Sequence, residues 1–180
     1  MSDFANVFLA QDTSITTFRD VRRSDRVRPE EDAREILARA EHGVLATVGA
    51  DDWPYAVPVN HVLCGDVLYL HCASQGHRLE NIAHQERVSY CAVASATVLP
   101  ETLTTLYESA VVFGRAAVVT DPFEKRSALE ALAMRFCGGV TPAAEEMIRQ
   151  DGPRTTIVRI RIERITGKAH RADPIENGSE

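Results

Sequence analysis

The sequence predicts a mainly β protein: a small antiparallel barrel of about six strands with helices inserted between them. Three observations predict it. From residue 44 onward, short runs rich in Val, Tyr and Leu alternate with turn residues, the pattern of hairpins joined in a meander. The helical stretches do not alternate regularly with the strands, as a doubly wound parallel sheet would require. And no G-x-G-x-x-G follows the first strand, which removes the dinucleotide-binding alternative.

Length and composition bound the rest. The 180 residues, 44% of them hydrophobic, suffice for one well-buried domain. The sequence divides into an N-terminal arm over residues 1–21, a domain over 22–168 and a polar tail over 169–180. A net charge of −6, with no basic run, argues against nucleic-acid binding through bulk electrostatics. No signal-type leader and no apolar segment approaching the roughly 18 residues of a membrane span is present, so a cytoplasmic protein without a membrane partner is expected. Cys64, Cys72, Cys91 and Cys137 form no C-x-x-C pair, and reduced, mostly buried thiols are expected.

Taken in order, residues 1–20 scatter apolar side chains without a period and read as an arm docking on the body or on a partner. Arg22 to Arg26 form a charged linker. Pro29 opens a helix whose first turn carries Glu30, Glu31 and Asp32, with Ala33, Ile36, Leu37 and Ala40 at helical spacing and Gly43 as its stop. Strands follow over 44–48, 55–63 and 67–72, with Pro54 and Pro58 confining the second to an edge or a bulge. A short helix occupies 77–84, and strands follow at 88–94 and 106–119. A helix opens at Asp121-Pro122 with Ala128, Leu129, Leu132, Ala133 and Phe136 on one side, and a shorter one covers 142–150. The last strand, 156–165, turns Val158, Ile160 and Ile162 inward and Arg159, Arg161 and Glu163 outward.

The chemistry concentrates in residues 68–82, an apolar strand, a polar turn and a helix. At such a junction the first helical N–H groups lack partners and carry the positive end of the helix dipole, which suits an anion. Arg78 stands there with a guanidinium able to grip a phosphate through two parallel bonds; Ser74 adds a hydroxyl, and Gly76 lets the backbone approach closely. A plain turn and a solvated arginine remain the alternative. The six histidines form no H-x-x-x-H pair or ligand-spaced cluster, so no metal site is expected. His71, isolated at a strand end, reads either as a core histidine bonded to the backbone or as a pocket residue.

Five segments, together, resemble one family: the charged run 22–26, His42 to Ala46, Trp53 to Asn60, Leu68 to Ala73 with Gly76-His77-Arg78, and Tyr107 to Ala116. In this order they are similar to the FMN-binding split-barrel superfamily of pyridoxamine-phosphate oxidase, and within it to the nitroimidazole-resistance branch. The resemblance implies a six-stranded antiparallel split β-barrel, a homodimer, and an FMN in each groove between subunits. It implies that Pro58, Val59, Asn60 and His61 lie along the isoalloxazine ring and offer backbone groups to its polar edge, that His71 and Cys72 sit beside the ring and ribityl chain, and that Ser74, His77 and Arg78 hold the phosphate. Glu108, Ser109 and Val111 would reach the cofactor from the partner subunit. His61 stands where the branch usually has an aromatic, and the basic strand motif of true pyridoxamine-phosphate oxidases is missing. The implied activity is reduction of a small electron-poor acceptor, such as a nitroaromatic, by NAD(P)H through the flavin, with His71 supplying a proton. The alternative is a non-catalytic flavin- or haem-binding protein, with His71 or His61 as an axial ligand.

Overall fold

A computed structural model of the chain describes residues 18–172. Its strands β1 (Val27–Arg28), β2 (His42–Val48), β3 (Pro54–Asn60), β4 (Val62–Cys64), β5 (Val67–Cys72), β6 (Arg87–Leu99), β7 (Thr104–Val118) and β8 (Thr156–His170) form one sheet. The helices are α1 (Glu30–Arg39), α2 (His77–His84), α3 (Pro122–Phe136) and α4 (Pro142–Asp151). The sheet runs β3-β2-β6-β7-β8-β5-β4, with β1 on β8, and each of its pairings is antiparallel. This is the expected split-barrel architecture. Two short segments raise the strand count above six: the two-residue β1, and a break that turns the expected strand 55–63 into β3 and β4.

The curled sheet wraps α1, whose Ala33, Ile36 and Leu37 are buried against Leu45, Leu68, Leu70, Tyr90, Val112, Val158 and Ile160. Burial of this kind contributes roughly 1.5–3 kcal/mol per large apolar side chain. A second cluster on the opposite face joins Val62, Val119 and Ile157 to Ala128 and Leu132 of α3.

Several boundaries differ from the sequence reading, each for a tertiary reason. Gly43 does not stop α1, which ends at Arg39; it lies inside β2, where a Cβ would stand 2.5 Å from the Tyr90 ring. The final strand continues past the expected end to His170. Ala169 pairs with Glu108, and His170 Nδ1–H donates to the Thr105 carbonyl at 2.9 Å, so both belong to the domain and not to a tail. Along β8 the predicted inward set Val158, Ile160 and Ile162 holds up to a bulge at Glu163, where Phe113 pairs with Arg164 and Gly114 with Ile162. One extra residue reverses which face each later side chain takes, so Ile165 and Ala169 are the buried positions beyond it. The cysteines also depart from expectation: Cys64, Cys91 and Cys137 are exposed and only Cys72 is half-buried. Of the N-terminal arm, residues 1–17 lie outside the described residues, as do 173–180 of the tail; Phe18 packs its ring on Phe113, centroids 5.4 Å apart. Among the described residues no helix is long and apolar enough to cross a membrane.

Candidate functional site

The sheet begins at β3 and ends at β5-β4, yet β3 and β4 are joined by a single residue, His61. The two ends of the sheet therefore meet, and the seam between them carries most of the residues singled out in the sequence. His61 closes it. The side chain is fully buried; Nε2–H donates to the Leu37 carbonyl at 2.8 Å, and Nδ1 lies 2.8 Å from the Tyr90 hydroxyl. A carbonyl only accepts, so the proton sits on Nε2 and Nδ1 accepts from Tyr90. The Tyr90 hydroxyl also lies 2.9 Å from the Val59 carbonyl, so its one proton is shared between that carbonyl and Nδ1. Burial pushes the imidazole pKa down to about 4, opposed by the Leu37 bond and helped by the Arg135 and His42 charges. The His61 side chain is thus a core clamp with both nitrogens engaged, which removes the imidazole as a haem ligand and leaves only its backbone groups to lie along a ring.

The residues expected to hold an anion lie on the turn from β5 to α2. Gly76 has φ 135°, a conformation that L side chains rarely adopt, and the space where its Cβ would stand is open. Within the chain its contribution is therefore backbone conformation, and the space beside it is left clear. No side chain caps α2; the N–H groups of Leu79 and Glu80 turn to the Gly76 carbonyl at 2.9 and 3.2 Å. Arg78 Nη1 is buried with no hydrogen-bond partner among the described residues. Ser74 and His77 are exposed at the mouth, and the His77 ring lies against Tyr55, centroids 4.3 Å apart. α2 is fixed from beneath by Asn81, 3% exposed, whose Nδ2–H donates to Thr47 Oγ1 at 3.0 Å. Neither Asn81, Thr47 nor Tyr90 was marked from the sequence, because a polar residue inside an apolar run carries no sign of its partner.

Strand alternation separates residues that the resemblance grouped. His71 is exposed, whereas Cys72 packs on the core cluster, where burial raises its thiol pKa and the Arg78 charge pulls it back. Val59 likewise packs inward, while Pro58 and Asn60 face out. Asn60 Nδ2–H donates to the Glu41 carbonyl at 2.9 Å, which fixes its amide. Glu108 has both carboxylate oxygens engaged within its own chain, Oε2 by Arg39 and Oε1 by Arg171, each at 2.8 Å, and these bonds hold its pKa below the usual carboxylate value. Val111 lies on the outer face, in one row with Cys91, Val44 and Pro58 through successive pairings. It does not meet residues 71–78 within one chain, nor does Ser109, two positions along the same face.

Beside His71 opens a groove of about 520 Å³ between β5 and the α3–α4 pair. Asn60 and His71 stand in its lining with Leu129, Leu132, Ala133 and Phe136 of α3. Ala143, Ala144, Met147 and Ile148 of α4 complete the wall; their spacing is helical, a signal present in the sequence but not read there as a pocket. α3 is tied down at both ends. Glu124 accepts from the Tyr69 hydroxyl at 3.0 Å and from Arg159 at 2.8 Å, and Arg135 donates to the Ala38 and Ala40 carbonyls, each at 2.5 Å. Among the described residues no group of three His, Cys, Asp or Glu side chains is placed to hold a metal.

The family model described as pyridoxamine 5'-phosphate oxidase matches residues 29–169. Among solved structures, the chain is similar to a conserved hypothetical protein of Mycobacterium tuberculosis, with TM-score 0.74, 20% identity, and 89% of this chain and 98% of the other covered. A protein of Bacteroides thetaiotaomicron ascribed to 5-nitroimidazole antibiotic resistance superposes with TM-score 0.67 at 21% identity, covering 79% and 85%. An FAD- and haem-binding protein of Mycobacterium smegmatis superposes with TM-score 0.67 at 23% identity, covering 82% and 74%. At these identities the likeness is one of fold. No curated protein matches the sequence.

Proposed function

The chain belongs to the pyridoxamine 5'-phosphate oxidase family, and from that premise we propose that it binds FMN and reduces small electron-poor acceptors, nitroaromatics among them, with a reduced nicotinamide as donor. One observation carries the reading. A buried guanidinium nitrogen without a partner among the described residues, Arg78 Nη1, belongs to the first turn of a helix that no side chain caps. Leaving a buried charged donor unpaired costs a few kcal/mol, and a phosphate seated there removes that cost while meeting the positive end of the α2 dipole. The residues thus fit the terminal anion of FMN, with Ser74 and His77 at the mouth and Arg78 beneath. The bound flavin supplies two-electron transfer. Pro58 and Asn60 offer the exposed edge of β3 toward its ring, and His71 holds or gives a proton at the mouth of the adjoining groove.

The proposal includes a homodimer with the flavin between subunits. What supports it is the outer face of the sheet, where Val44, Val93 and Phe113 are 40%, 52% and 38% exposed beside Cys91 and Val111, an apolar surface of the kind that marks an interface. Ser109 and Val111 lie on that face, from which they would reach a cofactor in the partner. A haem reading would rest on His71 alone, since His61 has both nitrogens engaged.

The test is a visible spectrum of the purified protein before and after incubation with FMN, followed by anaerobic titration with NADH and NADPH. The expected result is flavin absorption that bleaches with a donor and returns with a nitroimidazole. A protein that takes up no FMN, or holds FMN that no donor reduces, defeats the proposal; a Soret band in place of flavin peaks turns it toward haem.

A further inference from the structure

The groove between α3–α4 and β5 adjoins the proposed flavin line through the two residues they share, Asn60 and His71. Its volume of about 520 Å³ falls within the range of small-molecule sites, roughly 300–1,000 Å³. The walls are largely apolar, set by Leu129, Leu132, Phe136, Met147 and Ile148. Among the described residues lining it there is no lysine or arginine, and the one carboxylate, Asp151, pairs at 3.1 Å with Arg154, which is not part of the lining. An anion entering would surrender its hydration and meet no permanent cation, only the His71 imidazole at the mouth.

From this we infer that the groove is the acceptor site and that it selects uncharged, largely apolar molecules of about one ring's size while refusing carboxylates and phosphates. The inference rests on the proposed function for the word acceptor; the selectivity rests on the groove. It also separates this chain from a phosphorylated vitamin as substrate, whose anion would find no lysine or arginine there. Phe136 and Met147, 41% and 62% exposed at the groove, give an entering aromatic ring flexible apolar partners.

The experiment measures binding of nitrobenzene and of 4-nitrobenzoate by ligand-observed NMR, to protein with and without FMN. The variants are Ala143→Trp and Met147→Trp, both at exposed positions of α4, so that the fill does not disturb the core. Nitrobenzene is expected to bind at least tenfold more tightly than 4-nitrobenzoate. Each tryptophan should weaken nitrobenzene at least tenfold while leaving FMN affinity unchanged. Equal or tighter binding of the carboxylate overturns the inference, as does nitrobenzene binding that ignores both variants. Conversion of a dimer to monomers by these variants would identify the groove as a subunit contact and also overturn it. The two readings fail separately: nitrobenzene held without any FMN uptake defeats the flavin proposal and leaves the groove's selectivity standing, whereas FMN held with no nitrobenzene bound does the reverse.

Discussion

Acidification from pH 7 to pH 4 should remove on the order of 3 kcal/mol of stability through His61 alone. The imidazole is fully buried, its Nε2–H given to Leu37 and its Nδ1 accepting from Tyr90, and its pKa falls from 6.5 in the open chain to about 4 in the fold. Between those values the unfolded chain holds a proton that the native protein refuses. Stability therefore rises with pH across the window and is lost as pH falls through it. A shift of that size at ~1.4 kcal/mol per pKa unit, with the native site half-protonated at pH 4, yields the figure above. Carboxylates titrate in the same range, so the measurement is a difference: urea unfolding of the wild type and of His61→Gln, at one protein concentration and stepped pH. Glutamine keeps a donor and an acceptor but no titrating group. The free-energy gap between the two proteins should shrink, or reverse, by about 3 kcal/mol between pH 7 and pH 4. Parallel losses in the two proteins would refute the assignment of His61 as a neutral clamp.

Further expectations follow from single contacts. Arg78→Ala should weaken FMN by about 2–3 kcal/mol, roughly 30- to 150-fold, and leave riboflavin, which lacks the phosphate, almost unaffected in the same fluorescence titration. Equal losses for both would place the anion elsewhere. Gly43→Ala should cost about 1–3 kcal/mol in denaturant unfolding, because the new Cβ would stand 2.5 Å from the Tyr90 ring and 2.6 Å from the Cys91 carbonyl; an unchanged midpoint would show that β2 and β6 are not so closely apposed. Arg135→Ala removes the donor that bridges α3 to the last carbonyls of α1, and about 1–3 kcal/mol should be lost. Hydrogen exchange in that variant should quicken first in α3, and uniform quickening across the barrel would contradict a local tether.

The local part of this protein is written in its sequence. Hairpin turns at 49–52 and 64–66, the prolines of β3, the acidic first turn of α1 and the proline starts of α3 and α4 each act within a few residues. The helices and most strands follow from them without the rest of the chain. The proposed anion end was legible for the same reason: Ser74, Gly76 and Arg78 belong to one turn and one helix N-terminus, and the structure adds that Arg78 Nη1 is buried without a partner among the described residues. His61 was not legible. Nothing beside it in the chain shows what its side chain bonds to, and only the meeting of β3, α1 and β6 places Leu37 and Tyr90 on its two nitrogens. The same holds for Asn81 on Thr47, for Arg135 on the end of α1, and for Glu163, whose bulge reverses the faces of β8. Periodicity and turn chemistry are properties of neighbours along the chain, so the sequence alone determined most of the elements and the turn between β5 and α2. Which polar group is buried, what satisfies it, and where α3 and α4 leave a groove beside His71 depend on residues far apart in the chain, brought together when the sheet curls. Those features were decided by the tertiary structure.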